Sequence, residues 1–189
     1  MGNINIHMKI IDKAQLLIDL RLLQFNYRKI NQITNKSNLI GVVKGDGYGH
    51  GMIRCSEALI KSGCKHLYVA DIGDALKLRN KFNKVSIYVL SGPISNNEVK
   101  TLDNHKIIPI LNNNEQLEIV QKYSLSKNKK MNVVIHLDTG MNRMGFKPDH
   151  FSNLSEQLKM FNVSFLMSHF TSADEKDKKN SNKQFKQLL

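Results

Sequence analysis

VVKGDGYGHG, residues 42–51, is the stretch on which the fold reading turns. An apolar run ends in Lys44, and glycine then occupies positions 45, 47, 49 and 51. This is not the phosphate loop in which glycines precede a lysine that Ser or Thr follows, and it is not G-x-G-x-x-G. The lysine is the informative part. It ends a buried-type strand, where βα folds place their chemistry. An amine in that position is partly desolvated, which favours the neutral form that attacks a carbonyl. Tyr48, four residues on, offers a hydroxyl to a phosphate. The plainer alternative is a surface lysine beside a turn, and the residues alone weigh the two equally.

Outward from this segment, strand-length apolar runs alternate with amphipathic helical windows. The strand candidates are residues 39–43, 66–70, 86–90, 107–111, 132–138 and 163–168. Most are continuous in Val, Ile and Leu, as in parallel strands covered on both faces. The helical windows are residues 20–33, 52–62, 72–80, 95–104, 113–123, 151–160 and 181–189. Gly63 suits the end of the second window. Asn114 is a candidate cap for the fifth, beside Glu115 and Glu118. Residues 15–19, QLLID, read as a further strand ahead of the series. The alternation implies βα units, which fit either a doubly wound sheet or most of a barrel.

The net charge of +12 invites a nucleic-acid reading, but its make-up argues for a solvated surface. Lys supplies 23 of the 28 basic residues, scattered and without interleaved aromatics, so no nucleic-acid partner is expected. Cys55 and Cys64 form no C-x-x-C and read as small core residues. No window approaches the ~18 apolar residues of a membrane span, and the first residues lack signal-peptide features. A cytoplasmic location with no membrane partner is the expectation.

Two further segments end apolar runs in polar residues. HLDTGMNRMGF, residues 136–146, contains Arg143, one of only five arginines. A planar bidentate guanidinium suits a carboxylate or phosphate, although a surface or capping arginine is the commoner case. LMSHFTSADE, residues 166–175, places His169 at the end of another strand, on the same rim as Lys44 and Arg143. No metal-ligand spacing surrounds it, so no metal is expected.

VVKGDGYGHG, HLDTGMNRMGF and SHFTSADE, in that order, resemble three segments of the alanine racemase family, the fold-type III pyridoxal-phosphate enzymes. IDLRLLQFNYRKI, from Ile18, resembles that family's opening segment. The resemblance implies an α/β fold, a (β/α)8 TIM-type barrel that is incomplete here, with about six of eight βα units and no C-terminal β-domain. Residues 1–14 would be an N-terminal extension and residues 15–189 the partial barrel. It implies an isomerase using pyridoxal 5′-phosphate to interconvert L- and D-alanine, supplying D-alanine for peptidoglycan.

The same resemblance implies the site. Lys44 would bind the cofactor covalently and serve as one of two opposed bases, with Arg143 the second catalytic residue. Tyr48, Val42, Leu90 and His169 would complete the cofactor contacts, and Arg143 and Met141 would face the substrate. His136 stands where many members have a lysine that steers the arginine. A homodimer sharing its active sites is implied for full-length members.

The 189 residues fall short of the about 250 of a closed barrel. The opposite-face tyrosine is expected outside this chain, which makes the chain alone nearly inactive. A partner-complemented cofactor-binding fragment and a decayed gene are the alternatives.

Overall fold

The computed structural model describes residues 16–34 and 38–188. The predicted residues 1–14 therefore lie outside the described part. Six parallel strands form one sheet: β1 (Ile40–Val42), β2 (His66–Val69), β3 (Ser86–Val89), β4 (Ile108–Leu111), β5 (Asn132–His136) and β6 (Asn162–Met167). Their order in the sheet is their order in the chain. A doubly wound sheet reverses its order at a switch point, so the monotonic order selects the barrel type of winding.

The sheet is curled. The ring of Tyr88 on β3 lies 5.5 Å from that of Phe165 on β6, between centroids. Tyr68, Tyr88, Ile110 and Val134 form the inner cluster, with Ile40, Leu90, Ile108, Phe165 and Met167 packed against it. A cavity of about 510 Å³ is lined from both sheet edges, by Ile40 and by Phe165. The alternate residues of the same strands face outward. Leu67, Val69, Ile87 and Val89 bury against α3 (Met52–Lys61) and α4 (Ile72–Lys81) in one outer cluster. Leu111, Val133 and Ile135 join α6 (Asn114–Ser126) and α7 (Pro148–Leu158) in another. Burial on both faces explains why these strands read as continuous apolar runs rather than alternating ones. Each fully buried Leu, Ile or Val contributes about 1.5–3 kcal/mol.

Short polar caps start the helices at the C-terminal ends of the strands. Asp71 accepts from the Asp74 N–H at 2.9 Å, and Ser95 from the Glu98 N–H at 3.3 Å at the head of α5 (Asn96–Asn104). Asn113, and not the predicted Asn114, caps α6 by accepting from the Gln116 N–H at 2.9 Å. Gly63 follows α3 as predicted, with its N–H on the Ile60 carbonyl and the Cys64 N–H on that of Leu59.

Three other expectations change. Residues 16–19 form no strand: Asp19 instead caps α1 (Leu20–Ile33), accepting from the Arg21 N–H at 2.9 Å. Gln15 lies outside the described residues. The sixth full-length helix begins at Pro148, where proline suits a first turn because its missing N–H has no partner there anyway. The last, α8 (Lys179–Leu188), starts earlier than predicted and runs for ten residues. Among the described residues no helix is long and apolar enough to cross a membrane.

Candidate active site

Lys44 is the second residue after β1 and opens α2 (Lys44–Tyr48), a single turn of left-handed helix. Gly45, Asp46, Gly47 and Tyr48 all have φ between 51° and 64°. Left-handed helix costs L-residues roughly 1–2 kcal/mol each, so glycine at alternate positions makes the turn attainable. Asp46, a residue type that tolerates this conformation, offsets its cost. Its Oδ1 accepts from the Met52 N–H at 2.8 Å and caps α3. The turn leaves the half-buried Lys44 at the rim, and no salt bridge or side-chain hydrogen bond engages its amine among the described residues.

The segment after β5 folds back on its own strand. The Phe146 N–H donates to the His136 carbonyl, and the Asp138 N–H to that of Phe146, both at 2.8 Å. Gly145 makes this return possible. It sits at φ +117°, and a Cβ there would approach the Asp138 nitrogen to 2.8 Å. Asp138 Oδ1 accepts from the Gly140 and Asn142 N–H groups at 3.0 Å each. Burial favours the neutral Asp138 carboxyl, but the N–H groups of Asn142, Gly140 and Met141 outweigh it and hold the group below its ordinary value. Its charge is thus turned into the loop that presents the exposed Arg143 and the half-buried Met141.

His169 follows β6 and is exposed at the rim. Gln184 of α8 is buried, donating to the His169 carbonyl at 2.9 Å and accepting from the Thr171 N–H at 2.9 Å. Desolvation, then the Arg143 and Lys44 charges, holds His169 below the ordinary histidine value. Lys44 and His169 belong to the two edge strands of the sheet, so their mutual influence is a product of the curl. His136 joins the same group. Desolvation holds it low, Asp138 opposes that effect, and Arg143 and His169 reinforce it.

The structure thus brings together Lys44, Arg143 and His169 of the predicted site, with His136 beside them. Leu90 lies half-buried on the inner cluster, and Val42 is 40% exposed on the edge strand. Tyr48 is 61% exposed. It lines, with Val42, a cavity of about 420 Å³ bounded by Leu16, Leu17, Leu23 and Leu59. Among the described residues its hydroxyl makes no hydrogen bond to Lys44, Arg143 or His169.

Sequence reasoning missed Asn112, Gln116 and Gln184. Asn112 and Gln116 are buried and join His136: Asn112 Oδ1 lies 2.8 Å from His136 Nδ1, and Gln116 Oε1 accepts from the Asn112 N–H at 2.8 Å. Their only signal is position, a polar residue directly after β4 and another one helical turn later.

A singly wound, curled βα sheet with a lysine, an arginine and a histidine on its C-terminal rim defines an incomplete barrel of the type that carries enzyme sites at that rim. The family model described as alanine racemase, N-terminal domain, matches residues 18–189. The chain belongs to that family, whose named members are amino-acid isomerases. It is 33% identical over 164 residues to the alanine racemase of Rickettsia africae, covering 85% of this chain and 46% of the relative. Against the alanine racemase of Clostridium kluyveri the identity is 38% over 173 residues, covering 89% and 44%. Among solved structures, the alanine racemase of Bartonella henselae with covalently bound pyridoxal phosphate superposes with a TM-score of 0.84 at 29% identity, covering 90% of this chain and 48% of that one. The chain therefore spans about half the length of the relatives it matches.

Proposed function

We propose that residues 15–189 form the cofactor-anchoring part of a cytoplasmic pyridoxal 5′-phosphate-dependent alanine racemase that supplies D-alanine for peptidoglycan. The carrying observation is Lys44: a half-buried primary amine at the end of β1, unpaired among the described residues, with Arg143 and His169 close enough to act on one another. The donor set fits the cofactor, because an amine without a carboxylate partner suits an aldehyde and the clustered positive charge suits anionic groups.

When bound, pyridoxal 5′-phosphate supplies delocalisation of charge from the substrate α-carbon. Lys44 anchors it and moves the α-proton on one face, that of the D-enantiomer. Arg143 orients the substrate carboxylate and the cofactor's phenolic oxygen, with Met141 beside the substrate. His169 packs near the ring, Val42 and Leu90 give apolar walls, and Tyr48 takes the phosphate. None of the five tyrosines is placed as a base opposite Lys44: Tyr68 and Tyr88 sit in the inner cluster, Tyr27 and Tyr123 on helices, and Tyr48, in the same turn as Lys44, beside Val42. This chain's residues therefore support α-hydrogen exchange on one face, and a second base completes interconversion.

A second reading, a cofactor-binding unit completed by another polypeptide, draws support from the two sheet edges. β1 and β6 have one strand neighbour each among the described residues, and Val42 and Leu166 are each 40% exposed there.

Borohydride reduction of the chain with pyridoxal 5′-phosphate, followed by peptide mapping, tests the anchoring. The expected result is a pyridoxyl adduct on Lys44 that K44A abolishes. A folded chain without that adduct overturns the proposal.

A further inference from the structure

Gln184 is a buried carboxamide that comes from α8 and ends between two segments of the C-terminal rim. Its bonding capacity is used in full. Oε1 accepts from the Thr171 N–H at 2.9 Å and from the Thr171 hydroxyl at 3.1 Å. Nε2 donates to the His169 carbonyl at 2.9 Å and to the Thr139 hydroxyl oxygen at 3.4 Å, the longest of the four. An amide offers two N–H groups and two lone pairs, and all of them are engaged. Thr139 is buried, and its hydroxyl meets that of Ser168, the residue after β6, at 2.7 Å. The Gln184 side chain also packs against Gly140, where a Cβ would come within 3.5 Å of its Cγ. Thr139 and Gly140 begin the segment that carries Met141 and Arg143, and residues 168–171 are the segment of His169. One side chain thus holds both. A buried amide in full use is costly to disturb, because each group left unpaired has lost its hydration without replacement.

We infer that Gln184 is a positioning residue: its amide clamps the segment after β5 to the segment after β6 and so sets the spacing between Arg143 and His169. The use of that spacing rests on the proposed function, which gives Arg143 the substrate carboxylate and His169 the cofactor ring. Gln184 acts through the His169 carbonyl, Thr139 and Gly140 rather than on a reacting atom. Side chains of similar shape do not replace it. An ionised glutamate has no N–H and would set a carboxylate oxygen against the His169 carbonyl, and methionine fills the volume without bridging the two segments.

The test is made on the full chain without cofactor. The His169 ring is followed by NMR as the pH is changed, its signal assigned by loss in H169Q. Desolvation, then the Arg143 and Lys44 charges, lowers the His169 titration, and His136 is the other titratable group beside it. R143Q is therefore expected to raise the midpoint in the native chain. Q184M is expected to raise it as well, and R143Q added to Q184M to shift it by less than half as much as in the native chain. T139V removes one arm of the clamp and is expected to shrink the R143Q effect in the same way, whereas T139S, which keeps the hydroxyl, retains it. If Q184M fails to fold, the T139V and T139S pair decides alone. A residue that only added stability would lower the unfolding temperature and leave the R143Q effect intact. A native midpoint indifferent to R143Q, or an R143Q effect of equal size in the native, Q184M and T139V chains, overturns the inference. Failure of the Lys44 adduct would instead refute the proposed function and leave these titrations unchanged.

Discussion

The rings of Tyr88 and Phe165 meet at 5.5 Å although two strands separate β3 from β6 in the sheet. A flat sheet would hold the two far apart. The same curvature brings Lys44, just after the first strand, within electrostatic reach of His169 after the last. A double-mutant cycle reads it directly. Y88L, F165L and the double variant, unfolded in urea, are expected to give a coupling of about 0.5–1.5 kcal/mol, the value of an aromatic pair beyond its buried area. Additive effects within experimental error would contradict the curl.

Gly145→Ala combines a positive φ with a Cβ set against backbone that cannot yield. The expected cost is on the order of 2–3 kcal/mol, measured by denaturant unfolding. Gly49→Ala, at φ +81° in open space, serves as the comparison and is expected to cost about 1 kcal/mol. Equal losses at both sites would show that the return of the loop onto β5 is not close-packed.

Asp46 combines left-handed backbone with a cap on α3. Asn preserves both properties, so D46N is expected to be near neutral. D46A loses the cap and strains the turn, and about 1–2 kcal/mol of stability is expected to go with it. A neutral D46A would mean that the turn is held by other contacts.

His66, His136 and His169 all lie below the ordinary histidine value of 6.5. Desolvation is the first cause in each, joined by Lys65 at His66 and by the rim charges at the other two. Each group therefore binds its proton more weakly folded than unfolded. Their contribution to stability is complete above pH 6.5 and is lost as pH falls from there through the folded values. Unfolding free energy should decline between pH 7 and 5, with a limiting slope of about 1.4 kcal/mol per pH unit for each proton taken up. H136Q should flatten the decline. A stability that rises on acidification in this window would contradict the assignment.

Most of the fold was legible because both faces of the sheet are covered. Runs such as residues 86–90 and 107–111 carry no polar alternation, and that absence is itself the mark of a parallel strand with helices outside and a packed interior. The choice between a doubly wound and a barrel-type sheet was not legible locally, since it depends on strand order and curvature. Residues 15–19 read as a strand from their apolar content, but in Leu16–Asp19 the cap made by Asp19 turns the chain into α1 instead. Lys44 and His169 were found because each ends an apolar run, and Arg143 because it is one of five arginines in a lysine-rich chain and lies in the polar segment after such a run. Gln184 was invisible because it comes from a helix far along the chain and acts on backbone groups. Asn112 and Gln116 sit in an asparagine-rich stretch where nothing marks one amide above its neighbours.

That pair of amides has a consequence beyond holding a ring in place. Carboxamides neither gain nor lose protons in the range where histidine does, so the route from the Ser91 carbonyl through Gln116 and Asn112 to His136 Nδ1 is an insulator for protons. A proton that reaches the ring must therefore arrive at Nε2, the nitrogen that lacks a hydrogen-bond partner among the described residues.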